Sequence, residues 1–267
     1  MARKFYLFAV MTALFLLAPT SLWADQSGSC GENITWTMDD YGVLTIEGTG
    51  AMTDYNCWES PFEPLSPAPQ DLVIKGEVTT IGNYAFYYCT GLQNVDISGS
   101  VTSIGQYAFS ECVGLENVTI SSPVKSIGSY AFEKCSKLTN ITFPSSVTSI
   151  GDYAFSLCSG LTKIESLAET PPTCSSKSFF DVDRSKCVLI VPENSVEAYK
   201  TAEGWKEFSS IVTTGINAVT LESNVVEVYS TSGMLVYRGS SDTVNVPSAG
   251  IYVVKTAGKT YKVNIAK

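Results

Sequence analysis

Apolar residues recur at a fixed spacing through the middle of the chain. The pattern Ile-Gly-x-Tyr-Ala-Phe-x-x-Cys-x-x-Leu occurs four times with a constant 23-residue period. Alternating apolar residues follow each copy, as in Leu92, Val95 and Ile97, and predict a short strand with one buried face. The copies occupy residues 81–92, 104–115, 127–138 and 150–161.

This period predicts a solenoid of stacked coils. A repeat of about 20–29 residues carrying Leu-x-x-Val-x-Ile is typical of leucine-rich repeats. One coil buries too few side chains to fold alone, so neighbouring coils must share a core. We predict a mainly β protein, a leucine-rich-repeat solenoid of 23-residue coils. Atypical coils are expected at both ends, around Leu72 and Ile74 and again from Phe180 to Val191.

Two sets of positions within the coil should pack tightly. Ile81, Ala85 and Phe86, with their equivalents in later coils, are expected to point into the core, together with strand residues such as Val118 and Ile120. A glycine follows the isoleucine of each copy, where the chain must bend with a positive φ or pack closely against its neighbour. These glycines are Gly82, Gly105, Gly128 and Gly151.

The flanks of the repeats follow other patterns. Alternation on both sides of Asp40–Gly42 predicts a β-hairpin cap, and Ser195–Glu203 predicts a short helix with Ser195 as its N-cap. Plain β alternation resumes from Gly215 and predicts a small β-sandwich-like domain. The predicted domains are a signal peptide (1–24), an N-terminal β cap (25–71), the repeats (72–170), a degenerate coil with the C-terminal cap (171–214) and a C-terminal β domain (215–267).

The N-terminal segment, residues 1–24, resembles an export signal. Arg3 and Lys4 precede an apolar run of 14 residues, Phe5–Ala18, which is short for a membrane-spanning helix. A small residue, Ala24, ends an imperfect cleavage site. We predict that the protein is secreted or lies on the outer cell surface after cleavage, the alternative being an N-terminal anchor helix.

Composition narrows the function classes. Apolar residues make up 45% of the chain and charged residues 16%, so a core can form. The net charge of −9 argues against nucleic acid and anionic membranes as partners. The chain has no histidine, which removes Ser/His/Asp and Cys/His catalytic arrangements and His-based metal sites. We therefore expect no enzyme activity, no metal and no cofactor.

Eight cysteines raise the question of disulfides in an exported chain. One cysteine occupies the same position in each of the four repeats, where parallel side chains suit disulfide geometry badly. We interpret these as a buried thiol ladder, with bridges between rungs as the alternative; they are Cys89, Cys112, Cys135 and Cys158. The candidate disulfides are Cys30–Cys57 and Cys174–Cys187, one in each cap.

Two rows of residues are candidate binding surfaces. The outward positions of the strands are mostly polar and uncharged, and can form either a ligand-binding face or a plain solvated sheet. They are Asn94, Asp96, Asn117, Thr119, Asn140, Thr142, Lys163 and Glu165. A tyrosine row forms either a half-buried packing ladder or a platform for sugars or proteins. Its members are Tyr84, Tyr107, Tyr130 and Tyr153.

Residues 25–212 resemble the BspA-like, Treponema-type leucine-rich-repeat family. The repeat pattern carries the resemblance, with Ser29–Trp36 and Leu44–Met52 similar to the leader region and Gly204–Lys206 similar to the C-terminal cap. The resemblance implies a surface or secreted protein of host-associated bacteria. Some relatives are adhesins for extracellular-matrix proteins, but no residue motif for that activity can be carried over.

The C-terminal segment is similar to a type IX secretion sorting domain. The similar pieces are Val228–Gly233, Gly250–Val254 and Lys262–Lys267. This implies that the secretion machinery is a partner of the tail. The alternative is an ordinary β-sandwich accessory domain.

Together these patterns favour a recognition or adhesion protein that binds a protein or glycan ligand, including extracellular matrix. One alternative is an accessory or enzymatic component of glycan degradation using carboxylates such as Asp96 or Glu165, which would need to be paired in a pocket. Another is a structural surface protein. The sequence leaves the ligand and the oligomeric state open.

Overall fold

The computed structural model describes residues 26–63, 65, 68–121, 123–213, 225–230, 235–240, 250–255 and 260–265. The predicted signal peptide lies outside these residues. Within them the chain is mainly β, as predicted. The strands are β1 Gln26–Met38, β2 Val43–Met52, β3 Asp71–Ile74, β4 Glu77–Ile81, β5 Asn94–Ile97, β6 Ser103–Ile104, β7 Asn117–Ile120, β8 Ser126–Ile127, β9 Asn140–Phe143, β10 Ser149–Ile150, β11 Lys163–Ser166, β12 Val188–Val191, β13 Ser210–Thr213, β14 Val225–Ser230, β15 Leu235–Ser240, β16 Gly250–Lys255 and β17 Thr260–Ile265.

The predicted N-terminal hairpin is present and starts the solenoid. β1 and β2 pair antiparallel, with Trp36 opposite Ile46. The first half of β2 then pairs parallel with β3, and its second half pairs parallel with β4. Between the halves, Gly48 has a φ of 145°, and a Cβ there would lie 2.0 Å from the Asn33 carbonyl oxygen. Glycine is therefore required where one strand turns to begin both ladders.

Parallel pairing joins the coils on two sides. We call the surface formed by the outward residues of β3, β5, β7, β9, β11 and β12 the strand face. The turn side carries β4, β6, β8 and β10, which pair in that order, together with the tyrosine- and phenylalanine-bearing turns that follow them. The two-residue strands of the turn side, such as Ser103–Ile104, were not predicted, because a pair of residues shows no alternation in sequence.

The core lies between the two sides, and a stack of phenylalanines runs along it. Phe62, Phe86, Phe109, Phe132, Phe155 and Phe179 are fully buried and stack with ring centroids 4.9–5.7 Å apart. The inward positions predicted for Ile81, Ala85 and Phe86 are confirmed, since all are 0% exposed. In the last coil Phe179 takes the inward position, whereas Phe180, where the degenerate coil was expected to begin, is 53% exposed.

The repeat glycines pack closely rather than adopting a positive φ. A Cβ on Gly128 would lie 2.6 Å from the Gly105 carbonyl carbon, so the backbones of adjacent coils touch there. None of the four glycines has a positive φ. The left-handed conformation falls instead on Tyr84, Tyr107, Tyr130 and Tyr153, with φ between 55° and 60°.

The C-terminal end is sealed by aromatic residues, as predicted for the cap. The Trp205 indole donates a hydrogen bond to the Pro172 carbonyl at 2.7 Å, and the Tyr199 hydroxyl donates to the Ala168 carbonyl at 2.9 Å. The helix α1 spans Val196–Thr201 after a 3-10 turn at Glu193–Ser195. It is shorter than predicted, and Ser195 makes no side-chain capping bond because it is buried within that turn.

The C-terminal segment is β, as predicted. β14 to β17 form one antiparallel sheet in the order β15-β14-β16-β17. The segments that connect these strands lie outside the described residues, and so does any second layer of the predicted sandwich. No helix in the described ranges is both long and apolar enough to span a membrane.

Candidate ligand-binding face

The predicted binding residues come together on one surface. Parallel registers place Asn94 beside Asn117 and Asp96 beside Thr119, and farther along they place Lys163 beside Asn140. The exposed members are Asn94, Asp96, Asn117, Thr119 and Asn140, and the half-buried members are Thr142, Lys163 and Glu165. The strand face is therefore a flat array of mostly neutral polar groups.

Side-chain hydrogen bonds order the first part of this array. Asn94 Nδ2 donates to Asp71 Oδ1 at 2.6 Å, and Asn117 Nδ2 donates to Asn94 Oδ1 at 2.8 Å. The chain of bonds stops there, because Asn140 Nδ2 turns to Thr139 Oγ1 at 3.1 Å. Sequence reasoning missed Asp71, although it lies one full repeat before Asn94.

The carboxylates of the face do not form a catalytic pair. Asp96 lies on β5 and Glu165 on β11, with β7 and β9 between them, so at ~4.8 Å or more per strand they are at least about 14 Å apart. Glycosidases need carboxyl groups about 5–9.5 Å apart. Glu165 Oε2 instead lies 3.5 Å from Lys163 Nζ on its own strand. These two residues thus give the glycan-degrading alternative no support.

The strand face is interrupted between β7 and β9. At the preceding junction, the amides of Glu116 and Asn117 donate to the Gln93 carbonyl at 2.9 and 3.0 Å, and the Ser121 amide donates to the Ile97 carbonyl at 3.0 Å. β7 pairs with β5 and β9 with β11, but among the described strands no pairing joins β7 to β9.

Two departures from the repeat pattern coincide with the interruption. Lys137 stands where the other three regular copies have glycine, and a Cβ on Gly114 or Gly160 would lie 2.4 or 2.5 Å from a carbonyl oxygen of the preceding coil. Pro144 occupies the repeat position that Ser121 holds in the preceding coil, and it has no amide to donate. The start of β9 thus carries a side chain where the other regular copies have none, and a backbone donor is missing at its end.

Solvent reaches the core at this break. Val118 and Ile120 are half-buried, whereas Val95, Ile97, Ile141 and Phe143 in the adjoining strands are at most 2% exposed. The inward positions predicted for Val118 and Ile120 are therefore only partly correct. A hollow of about 410 Å³ lies at the start of the break, lined by Glu116, Asn117, Ser136, Lys137, Thr139 and Gly160. The Lys137 ammonium spans it to Glu116 Oε1 at 3.1 Å.

The tyrosine row is a stacked ladder on the turn side. Adjacent rings lie 4.6–4.9 Å apart and within 14° of parallel. Burial raises the pKa of Tyr84 and of Tyr107. Because each inner ring stacks on both neighbours, the row presents ring edges and hydroxyls rather than ring faces. This geometry matches the packing-ladder interpretation, and sugars, which stack on faces, find little room between the rings.

The repeat cysteines form the buried row that was predicted. The thiol of Cys112 donates to the Phe86 carbonyl at 3.1 Å, that of Cys135 to the Phe109 carbonyl at 3.3 Å and that of Cys158 to the Phe132 carbonyl at 3.1 Å. Burial raises the pKa of Cys89 and of Cys158 to about 12. All four thiols are free.

Neither candidate disulfide is formed in the structure, where all four cap cysteines are free thiols. Cys30 is buried in the core, whereas Cys57 is exposed beside the side chain of Tyr87. Cys187 is fully buried, whereas the half-buried Cys174 thiol donates to the Glu203 carbonyl at 3.3 Å. The members of each pair thus lie in different environments, which spacing along the chain does not show.

Comparison with protein families finds one described as BspA type leucine rich repeat region, whose model matches residues 66–184 in six copies. The match starts before and ends after the four regular copies, so it includes atypical coils at both ends. Comparison with curated proteins finds no match.

Solved structures of bacterial leucine-rich-repeat proteins are similar to this chain. One from Eubacterium ventriosum is 19% identical and covers 72% of this chain and 68% of its own, with a TM-score of 0.44. One from T. pallidum is 21% identical and covers 71% and 87%, with a TM-score of 0.42. A leucine rich cell surface protein from Faecalibacterium prausnitzii is 22% identical and covers 79% and 60%, with a TM-score of 0.37.

Proposed function

We propose that this protein is a recognition or adhesion module whose strand face binds a protein or glycan at or outside a bacterial cell surface. The observation that carries the proposal is the ordered array of exposed amides on the strand face. Hydrogen bonds of 2.6 and 2.8 Å join the side chains of Asp71, Asn94 and Asn117 in a row and fix their orientation. A binding surface that is already ordered loses little side-chain entropy when a ligand arrives.

The chemistry of the array suits polar ligands with little charge. Asparagine amides both donate and accept hydrogen bonds, so they match peptide groups and sugar hydroxyls alike. The net charge of −9 disfavours polyanions. Extracellular-matrix proteins and surface glycans are therefore the first ligands to test.

A triple variant tests the strand face directly. Asn94→Lys, Asn117→Lys and Asn140→Lys together should lower capture of a matrix protein or arrayed glycan by at least about tenfold, which is about 1.4 kcal/mol of binding free energy. The matched control is Gln106→Lys, Thr148→Lys and Thr173→Lys, which adds the same charge at exposed positions of the turn side. Undiminished binding by a folded strand-face variant contradicts the proposal.

Export is the second part of the proposal. An N-terminal signal peptide and a C-terminal sorting domain would place the solenoid outside the cell. A chain ending at Thr214 should melt like the repeats of the full protein and stay in the periplasm of its host, and residues 215–267 fused to a periplasmic protein should carry part of it outward. Surface delivery of the truncated chain, together with retention of the fusion, contradicts the sorting role.

A further inference from the structure

We propose that the break between β7 and β9 binds an extended peptide segment, which lies along the break and hydrogen-bonds to the free backbone groups of both strands. This inference rests on the proposed function and assigns the peptide-binding part of the strand face to one junction. The backbone groups, the surrounding side chains and the contacts that remain intact each support it.

Backbone groups with no strand partner among the described residues lie along both edges of the break. Backbone groups point alternately to the two sides of a strand. The amides of Asn117 and Ser121 point to β5, and the carbonyls of Thr139 and Phe143 accept bonds from the coil of β11. The amides and carbonyls that face the break are therefore those of Val118, Ile120, Asn140 and Thr142. Parallel edges of this kind are what an added strand pairs with.

The side chains around the break specify an alternating ligand. Val118 and Ile120 are half-buried below it and offer apolar surface. Asn117 and Thr119 are exposed above it, and Asn117 Oδ1 accepts no hydrogen bond from the described residues. A peptide in which apolar and polar residues alternate can place its apolar side chains against the core and its polar side chains among the asparagine amides. A glycan has no regular row of N–H donors with which to match these edges.

The break can widen without unstacking the coils. Across the same junction, the Phe109 amide donates to the Ala131 carbonyl at 2.8 Å, and the Phe109–Phe132 rings remain stacked at 5.1 Å. A full strand needs about 4.8 Å of additional separation. The Glu116–Lys137 ion pair spans the start of the break, and its side chains are 49% and 60% exposed. Such exposed pairs hold weakly.

The chain itself provides a probe. A labelled peptide with the sequence of residues 92–98 has the strand pattern of the coil, with Val95 and Ile97 as its apolar positions. It should bind the full-length protein in a fluorescence-anisotropy titration. The same peptide carrying Val95→Pro lacks one backbone amide and should bind at least about tenfold more weakly.

Closing the break should weaken binding. Lys137→Gly with Pro144→Ser restores the glycine and the amide found at the junction between β5 and β7, and should weaken peptide binding by at least about tenfold. Pro123→Ser is the matched control, because Pro123 is exposed in the next turn and donates nothing to the ladder. Equal binding by the closed variant, or no binding by the wild type at about 1 mM peptide, overturns the proposal.

Amide exchange of the wild-type protein gives a readout that does not depend on the variants. Bound peptide should slow exchange at Val118, Ile120, Asn140 and Thr142, and leave Phe109 and Phe132 unchanged. Absence of that protection at saturating peptide overturns the proposal. If a matrix protein or glycan loses binding to the triple asparagine variant while this peptide never binds, the proposed function stands and only the peptide site fails.

Discussion

The junction between β5 and β7 and the junction between β7 and β9 have the same spacing in sequence and different structures. In both, the second strand starts one 23-residue period after the first. The first junction has Gly114 and Ser121 at its ends, and its ladder is complete. The second has Lys137 and Pro144 at the same positions, and among the described strands its ladder is absent.

This contrast shows that periodicity and strand pairing are separate requirements. The repeat period stacks the coils at both junctions, because the phenylalanine and tyrosine stacks continue across them. Where β5 pairs with β7, the coil has a glycine where the backbones approach and an amide where the strand ends, and both are absent where pairing stops at β9. One coil can therefore open on one side while it stays closed on the other.

The largest expected effect comes from the side that stays closed. Phe109→Ala removes a ring that stacks on Phe86 and Phe132 and should cost about 3–5 kcal/mol of unfolding free energy. The loss of stability should extend to neighbouring coils, because solenoid stability depends on nearest neighbours. Denaturant unfolding measures the change in unfolding free energy. A cost below about 1 kcal/mol would mean that the stack does not hold the junctions together.

A smaller loss should follow from copying the break into the intact junction. Gly114→Lys places a Cβ 2.4 Å from the Thr90 carbonyl oxygen, so β5 and β7 should separate at a cost of about 1–3 kcal/mol. Val113→Lys is the control, since Val113 is adjacent in sequence and already 39% exposed. If both variants unfold at the same denaturant concentration, close approach at glycine is not the cause of pairing.

Repairing the broken junction should give a modest gain. Lys137→Gly with Pro144→Ser allows amides of the β9 coil to reach the Glu116 and Ile120 carbonyls, each bond worth about 1 kcal/mol. Introducing a glycine and removing a proline both raise the conformational entropy of the unfolded chain, which offsets part of this stabilisation. The net gain in unfolding free energy should be about 1 kcal/mol. Calorimetry of this variant beside Pro123→Ser measures the gain, and a destabilised repair variant contradicts the explanation.

Alkylation of the ladder cysteines should show that the turn side stays closed. Cys112 and Cys135 flank the broken junction, and both are 0% exposed. At pH 8 an alkylating reagent should label Cys57 in the folded protein, and the four ladder thiols only after denaturation. Burial raises the pKa of Cys89 from 9.0 to about 12, so its stabilising contribution is complete below pH 9 and declines as the pH rises towards 12. Native labelling of Cys135 as fast as Cys57 contradicts a closed turn side.

Much of the fold could be predicted because the repeat is regular. The inward positions of Phe86 and Phe109 and the outward positions of Asn94 and Asn117 follow from alternation and spacing alone. The strand face could be located for the same reason, although Asp71, at its start, lies in a coil too atypical to align by the full pattern.

The remaining features depend on contacts between coils, which one coil's pattern does not show. The left-handed conformation of the tyrosines is one such feature. Tyr84 has a φ of 56°, a conformation that usually favours glycine. The cap cysteines remain unpaired because Cys30 turns into the core while Cys57 faces outward. Lys137 and Pro144 depart from the regular repeat, but the sequence alone does not show that strand pairing stops there.

Residue-resolved hydrogen exchange of the unliganded protein tests the central claim most directly. The amides that face the break are those of Val118, Ile120, Asn140 and Thr142. They should exchange at least about tenfold faster than the amides of Asn117 and Thr119, because an amide without a backbone partner exchanges through small local fluctuations. In the protein carrying Lys137→Gly and Pro144→Ser the difference should disappear. Equal protection of both sets in the wild-type protein would mean that β7 and β9 are paired in solution, and would contradict an interrupted strand face.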